Sequence, residues 1–92
     1  MSIQWLYDVI ESRRQNPTEQ SYTSSLFSEG LPKIAQKVGE EGTEVVVAAL
    51  AQDDQRLIEE VADLMYHTLV LLAARGLKIE DIWTELEKRH KQ

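Results

Sequence analysis

Between Leu31 and Arg75 the apolar residues recur at the helical period with one interruption, at Asp53-Asp54. Leu31, Ile34, Ala35, Val38, Gly42, Val45, Val46 and Ala49 stand at offsets 0, 3, 4, 7, 11, 14, 15 and 18. That spacing predicts one face of a long amphipathic helix ending near Ala51. A second long helix is predicted from about Gln55 to Arg75, with the paired aspartates as turn and N-cap and Gly76 as the C′ residue. So short a connection requires the two helices to pack antiparallel. The second is amphipathic in its first half and apolar almost all round from Thr68 to Ala74, a pattern that calls for burial on every side. A chain of 92 residues has few helices with which to surround it, so a second copy of the chain is expected to cover it.

The flanking segments are shorter. Ser2 is a suitable cap for a first helix whose stripe is Ile3, Leu6, Val9 and Ile10, and Asn16-Pro17 ends it. Residues 16–25 are polar and rich in Ser and Thr, which predicts a loop, with helical character returning near Leu26 and a fresh start at Gly30 and Pro32. A last helix is predicted from about Ile79 to Arg89. Its acids (Glu80, Asp81) lie at the start and its bases (Lys88, Arg89) at the end, as the helix dipole favours. No strand or repeat is legible. The expectation is one all-α domain over residues 1–92, with four helices.

Composition removes several functions. Without cysteine there is neither a disulfide framework nor a thiolate metal site, which suits a cytoplasmic location. No signal peptide is legible, and the longest apolar run, Leu69 to Ala74, is far short of the roughly 20 residues of a membrane helix. Sixteen acids against ten bases, a net charge of −6, argue against a nucleic-acid partner. They do not argue against a small nucleotide, provided that a divalent cation inverts the local field.

The acids are patterned. Glu41-x-x-Glu44 and Glu60-x-x-Asp63 each place two carboxylates about a turn apart on one helix face. Lys37 shares the flank of the first pair, and His67 continues the stripe of the second. On antiparallel helices joined by a short turn the two pairs can face each other. Either motif alone is usually a solvated face. Four facing carboxylates, by contrast, repel one another and lose hydration unless a cation compensates. Magnesium is the natural candidate, because it takes carboxylate oxygens and substrate phosphates together.

Several stretches now carry a resemblance. Ser21-Tyr22-Thr23-Ser24-Ser25-Leu26, Gly30, Lys33-Ile34 and Lys37-Val38-Gly39-Glu40-Glu41-Gly42-Thr43-Glu44 resemble the phosphoribosyl-ATP pyrophosphohydrolase family. So does Glu59-Glu60-Val61-Ala62-Asp63-Leu64-Met65-Tyr66-His67, with the leucine-rich run to Arg75-Gly76-Leu77. The match spans about residues 2–90, with no departure at the four carboxylates. The spacing from Tyr22 to Glu44 is specific to this family, whereas the carboxylate motifs alone are shared with the wider MazG-like and dimeric dUTPase all-α pyrophosphatases.

The resemblance implies a homodimer of helical chains forming four-helix bundles, with magnesium held by Glu41, Glu44, Glu60 and Asp63, one of which could instead act as general base. The implied reaction cleaves phosphoribosyl-ATP between its α and β phosphates, the second step of histidine biosynthesis. In some organisms the domain is fused to the cyclohydrolase that acts next; no cyclohydrolase segment is legible here, so one step is expected. Tyr22, Thr23 and Ser24, with Ser25, are candidates to hold substrate through hydroxyls, although a serine there could equally cap a helix. Lys33 and Lys37 are candidate phosphate contacts, with a surface ion pair to Glu41 as the plainer reading of Lys37. His67, Trp5 and Trp83 read as packing residues. The alternatives are a housecleaning pyrophosphatase of (deoxy)nucleoside triphosphates on the same fold and a non-catalytic helical interaction module.

Overall fold

The computed structural model describes residues 1–91, so Gln92, the last residue of the expected domain, lies outside the described residues. Among those residues there are five helices and no strand: α1 (Ile3–Gln15), α2 (Tyr22–Glu29), α3 (Leu31–Ala51), α4 (Asp54–Ala74) and α5 (Ile79–Arg89). The all-α expectation holds, and the four-helix count is corrected to five. The added helix is α2. The segment predicted as loop to residue 25 is already helical at Tyr22, because Ser21 accepts a hydrogen bond from the Ser24 N–H at 3.1 Å and so caps it. A serine-rich run that reads as loop is here a cap followed by two helical turns.

The remaining boundaries follow local chemistry. Ser2 caps α1 by accepting from the Trp5 N–H at 3.0 Å. Gly30, at φ +98°, ends α2 and begins α3, with Pro32 in the new first turn. Asp53 caps α4 by accepting from the Arg56 N–H at 2.9 Å. At the far end of α4, the Leu77 N–H donates to the Leu72 carbonyl at 2.9 Å and the Gly76 N–H to that of Ala73 at 3.0 Å. With Gly76 at φ +72° this is a Schellman closure. The Asp81 carboxylate accepts from the Lys78 N–H at 2.9 Å and so starts α5.

The α3–α4 hairpin is the largest packing unit, and α1 and α2 lie against it. Tyr7, Ile10, Leu26, Ile34, Leu69, Val70, Ala73 and Ile79 form the core. The Tyr7 hydroxyl donates to the Leu77 carbonyl at 2.7 Å, which ties the α4–α5 turn to α1. Two expectations shift. On α3 the line buried within the chain is Ile34, Glu41 and Ala48, whereas Leu31, Ala35, Val46 and Ala49 of the predicted stripe are exposed. On α4 the apolar second half already places Leu69, Val70 and Ala73 in the chain's own core. The uncovered apolar residues lie elsewhere: Val46 and Leu50 on α3, Ile58, Val61 and Met65 on the first half of α4, and Ile82, Trp83 and Leu86 on α5.

If α2 depends on its cap, Ser21→Ala will lower unfolding stability by about 1 kcal/mol, whereas Ser28→Ala on the same helix will change it little. Urea denaturation of the two variants checks this, and equal stabilities would show that the cap does not matter.

Candidate metal and active site

The α3–α4 hairpin sets the four predicted carboxylates opposite one another. Glu41 and Glu60 are buried, at 6% and 5% exposure, while Glu44 and Asp63 remain open to solvent. One carboxylate oxygen from each of Glu41, Glu60 and Asp63 lies within 4.8 Å of the others. Glu44 stands outside that triangle, on the exposed side of α3, close enough to Glu60 and Glu41 for the three to influence one another's ionisation.

This crowding redistributes protons. Burial, with the Glu44 and Asp63 carboxylates close by, holds the Glu41 carboxyl above the ordinary carboxylate range. Glu60 is raised first by the hydrogen bond it shares with Glu44 and then by burial. Glu44 is lowered, because hydrogen bonds from Glu60 and Glu41 favour its ionised form. Within the cluster, crowding and burial thus favour the protonated form of Glu41 and Glu60 and the ionised form of Glu44.

Two basic residues offset part of the remaining charge. Arg56 places its guanidinium 2.9 Å from Glu60 Oε1 and 2.7 Å from Glu59 Oε1. Lys37 Nζ is 3.9 Å from Glu41 Oε1 and 4.0 Å from Glu40 Oε1. The other oxygens of the buried pair, Glu41 Oε2 and Glu60 Oε2, are buried with no hydrogen-bond partner. Such atoms are costly unless a ligand completes them. Two orphaned oxygens on members of one acidic cluster, an all-oxygen donor set and exposed carboxylates beside it fit a hard divalent cation.

The predicted substrate residues separate. Lys37 lies at the edge of the carboxylates, while Lys33 is exposed in the first turn of α3. Tyr22 and Thr23 face α4: the Tyr22 hydroxyl is 3.1 Å from His67 Nε2, and Thr23 Oγ1 is hydrogen-bonded to the Tyr66 hydroxyl. Ser24 turns the other way. It is buried, its hydroxyl donating to the Arg13 carbonyl at 3.3 Å and accepting from the Thr18 N–H at 3.1 Å. Ser25 donates to the Tyr22 carbonyl at 2.6 Å. Glu40 is exposed, as its angular position predicts, and His67 is packed and hydrogen-bonded. Sequence reasoning missed Arg56, although its spacing four residues before Glu60 was the signal, and it missed Tyr66, for which no local signal existed.

Two antiparallel helices that bring acidic pairs together at a partly buried interface define a class of all-α proteins with a carboxylate cluster between paired helices. A profile of the phosphoribosyl-ATP pyrophosphohydrolase family matches residues 3–90. The chain is 56% identical over 88 residues to the phosphoribosyl-ATP pyrophosphatase of Lacticaseibacillus casei, covering 96% of this chain and 80% of that one. Against its namesake from Pyrobaculum calidifontis the identity is 54% over 86 residues, covering 94% and 92%. The histidine biosynthesis bifunctional protein HisIE of Oceanobacillus iheyensis is 52% identical over 81 residues, 88% of this chain but 38% of that longer protein. The chain belongs to the phosphoribosyl-ATP pyrophosphohydrolase family.

The proton sharing gives a signed expectation for the metal-free protein. Glu41 holds its proton more tightly folded than unfolded. Its protonated form therefore adds stability that is fully present below the ordinary Glu value of about 4.3 and is lost as pH rises through the raised folded value. Glu41→Gln removes that loss. In EDTA at pH 7 the variant should melt on the order of 5 °C above the unmodified chain, and the gap should close as pH falls toward 4. A variant that melts lower than the unmodified chain at pH 7 would show that the buried carboxylate is compensated by something other than protons or metal.

Proposed function

We infer that this chain hydrolyses phosphoribosyl-ATP to phosphoribosyl-AMP and pyrophosphate, the second step of histidine biosynthesis, in the cytoplasm. The observation that carries the reading is the convergence of Glu41, Glu60 and Asp63, with Glu44 beside them and two buried oxygens lacking partners, in a chain whose relatives of similar length bear that activity as their name. Magnesium is the proposed cation, held by these four residues directly or through water. When bound it supplies charge neutralisation at the phosphates and at the departing pyrophosphate.

The chain's own residues divide the rest of the work. Glu41 and Glu60, buried and fixed by the helix pair, anchor the cluster, and Arg56 keeps Glu60 in place. Glu44 and Asp63, on the open side, face water and substrate. Glu44 is the better placed of the two to orient the attacking water, being held ionised and beside the two anchors. Lys37 adds positive charge at the rim, where a phosphate must enter, and Lys33 extends that charge by one turn. The new bond joins the water oxygen to phosphorus, and the α–β anhydride is the bond that breaks.

The apolar residues left open on α3, α4 and α5 support a homodimer. An apolar groove of about 300 Å³, lined by residues that include Ile3, Met65, Leu72, Ile82 and Trp83, joins the exposed residues of α4 to those of α5. Single exposed apolar residues need no partner, but a continuous set does. The second copy completes helical bundles around the hairpin that carries the carboxylates.

Pyrophosphate release should occur from phosphoribosyl-ATP in magnesium and cease in EDTA, with little release from ATP or dUTP. Equal release from the controls would move the chain to the housecleaning enzymes. Glu44→Gln should reduce turnover on the order of 1000-fold while leaving the helical circular dichroism unchanged, and an active variant removes Glu44 from the site. Sedimentation velocity should give twice the chain mass, and a monomer at micromolar concentration refutes the dimer.

A further inference from the structure

His67 is 5% exposed, one turn beyond Asp63 on the helix that carries two of the carboxylates. Its Nδ1 lies 2.8 Å from the Asp63 backbone carbonyl. A carbonyl oxygen only accepts, so the ring proton of the neutral imidazole sits on Nδ1. That leaves Nε2 bare, and the Tyr22 hydroxyl 3.1 Å away is the donor to it. The rings confirm a packed unit: Tyr22 stacks on Tyr66 with centroids 6.3 Å apart, and His67 stands edge-on to both. Thr23 adds a second tie, to the Tyr66 hydroxyl.

These ties have a mechanical consequence. The helix α2 is eight residues long, and helices that short do not persist unaided. Its first turn is anchored to α4 through Tyr22 and Thr23, beside the carboxylate-bearing stretch. Tyr22 is itself 53% exposed, so its ring stays open to solvent while its hydroxyl is pinned to His67, one turn from Asp63.

We propose that His67 is a positioning residue: by accepting the Tyr22 hydroxyl proton it latches the first turn of α2 to α4, and so preforms the wall that substrate meets beside the carboxylates. The kinetic part of this rests on the functional reading above; the mechanical part does not. A preformed wall lowers the ordering cost of binding equally for ground and transition states, so its loss appears in KM and not in kcat.

Two replacements of His67 separate its two bonds. Asparagine keeps a donor near the position of Nδ1 and loses the acceptor for Tyr22. Glutamine can place its amide oxygen near the position of Nε2 and keep that acceptor. Tyr22→Phe and His67→Asn should each raise KM for phosphoribosyl-ATP about 3- to 10-fold, the value of one hydrogen bond, with kcat within about twofold. The double variant should match the single ones, and His67→Gln should restore KM most of the way. In the substrate-free protein, hydrogen exchange at the amides of residues 22–29 should quicken in Tyr22→Phe and His67→Asn and not in His67→Gln, while residues 54–74 stay protected.

Unchanged exchange in α2 overturns the latch. Faster exchange with unchanged KM overturns its part in substrate binding. Additive effects in the double variant overturn the coupling of the two residues. An unmodified protein inactive on phosphoribosyl-ATP overturns the functional reading instead, and the exchange experiment then decides the latch by itself.

Discussion

Two buried carboxylates, Glu41 and Glu60, face each other across a helix pair with one oxygen of each left without a hydrogen bond, and much of the structure can be understood as what is needed to keep them there. Charges taken out of water repel and lose hydration, and a flexible scaffold would turn them back to solvent. The α3–α4 hairpin prevents this. Each helix has 21 residues, the connection is Gln52 and Asp53, and the Asp53 cap fixes where α4 begins. The core beyond the carboxylates, from Ile34 to Leu69 and Val70, then sets the distance between the helices. Apolar packing at one end of the hairpin holds the electrostatic conflict in place at the middle.

The basic residues moderate this conflict without removing it. Arg56 is bound to both Glu59 and Glu60, so its charge is spent partly on a solvated neighbour. Lys37 reaches Glu41 only at 3.9 Å, and as a compact point charge it is free to turn to another anion. A site fully neutralised by its own side chains would gain little from a cation. One left with orphaned oxygens and loosely engaged bases has room for the proposed cation and phosphate, and it carries a cost in stability in their absence.

Much of this was legible in the sequence because the features are local. The caps at Ser2 and Asp53, the Gly76 closure and the acids and bases at the ends of α5 each depend on residues within a few positions. The carboxylate motifs could be set face to face because helix period and a short turn fix their geometry. Three features were not legible, each for a physical reason. Ser21 caps a helix and Ser24 bridges to Arg13 and Thr18, yet both look like loop residues until the partner atoms are known. The apolar set on α3 spans more than one face, and which part the chain itself buries depends on where α1, α2 and α4 lie. Tyr66 meets α2 through contacts more than 40 positions away in sequence, with Tyr22 and Thr23.

Several apolar residues that the fold leaves open lie on the elements that carry the site. Val46 and Leu50 follow Glu44 on α3, and Ile58, Val61 and Met65 flank Glu60 and Asp63 on α4. At about 100° per residue, Val61 and Met65 point away from the carboxylate stripe of α4, so the two functions use opposite sides of one helix. Burial of those side chains in the proposed dimer would act on the hairpin from behind, at about 25 cal/mol per Å² of apolar surface removed from water, and would offset what the carboxylate cluster costs. A fold this small has few other reserves. The proposed association and the proposed metal site would thus be linked through the same two helices: whatever stiffens the outer face of α3 and α4 lowers the cost of holding acidic side chains together on the inner one.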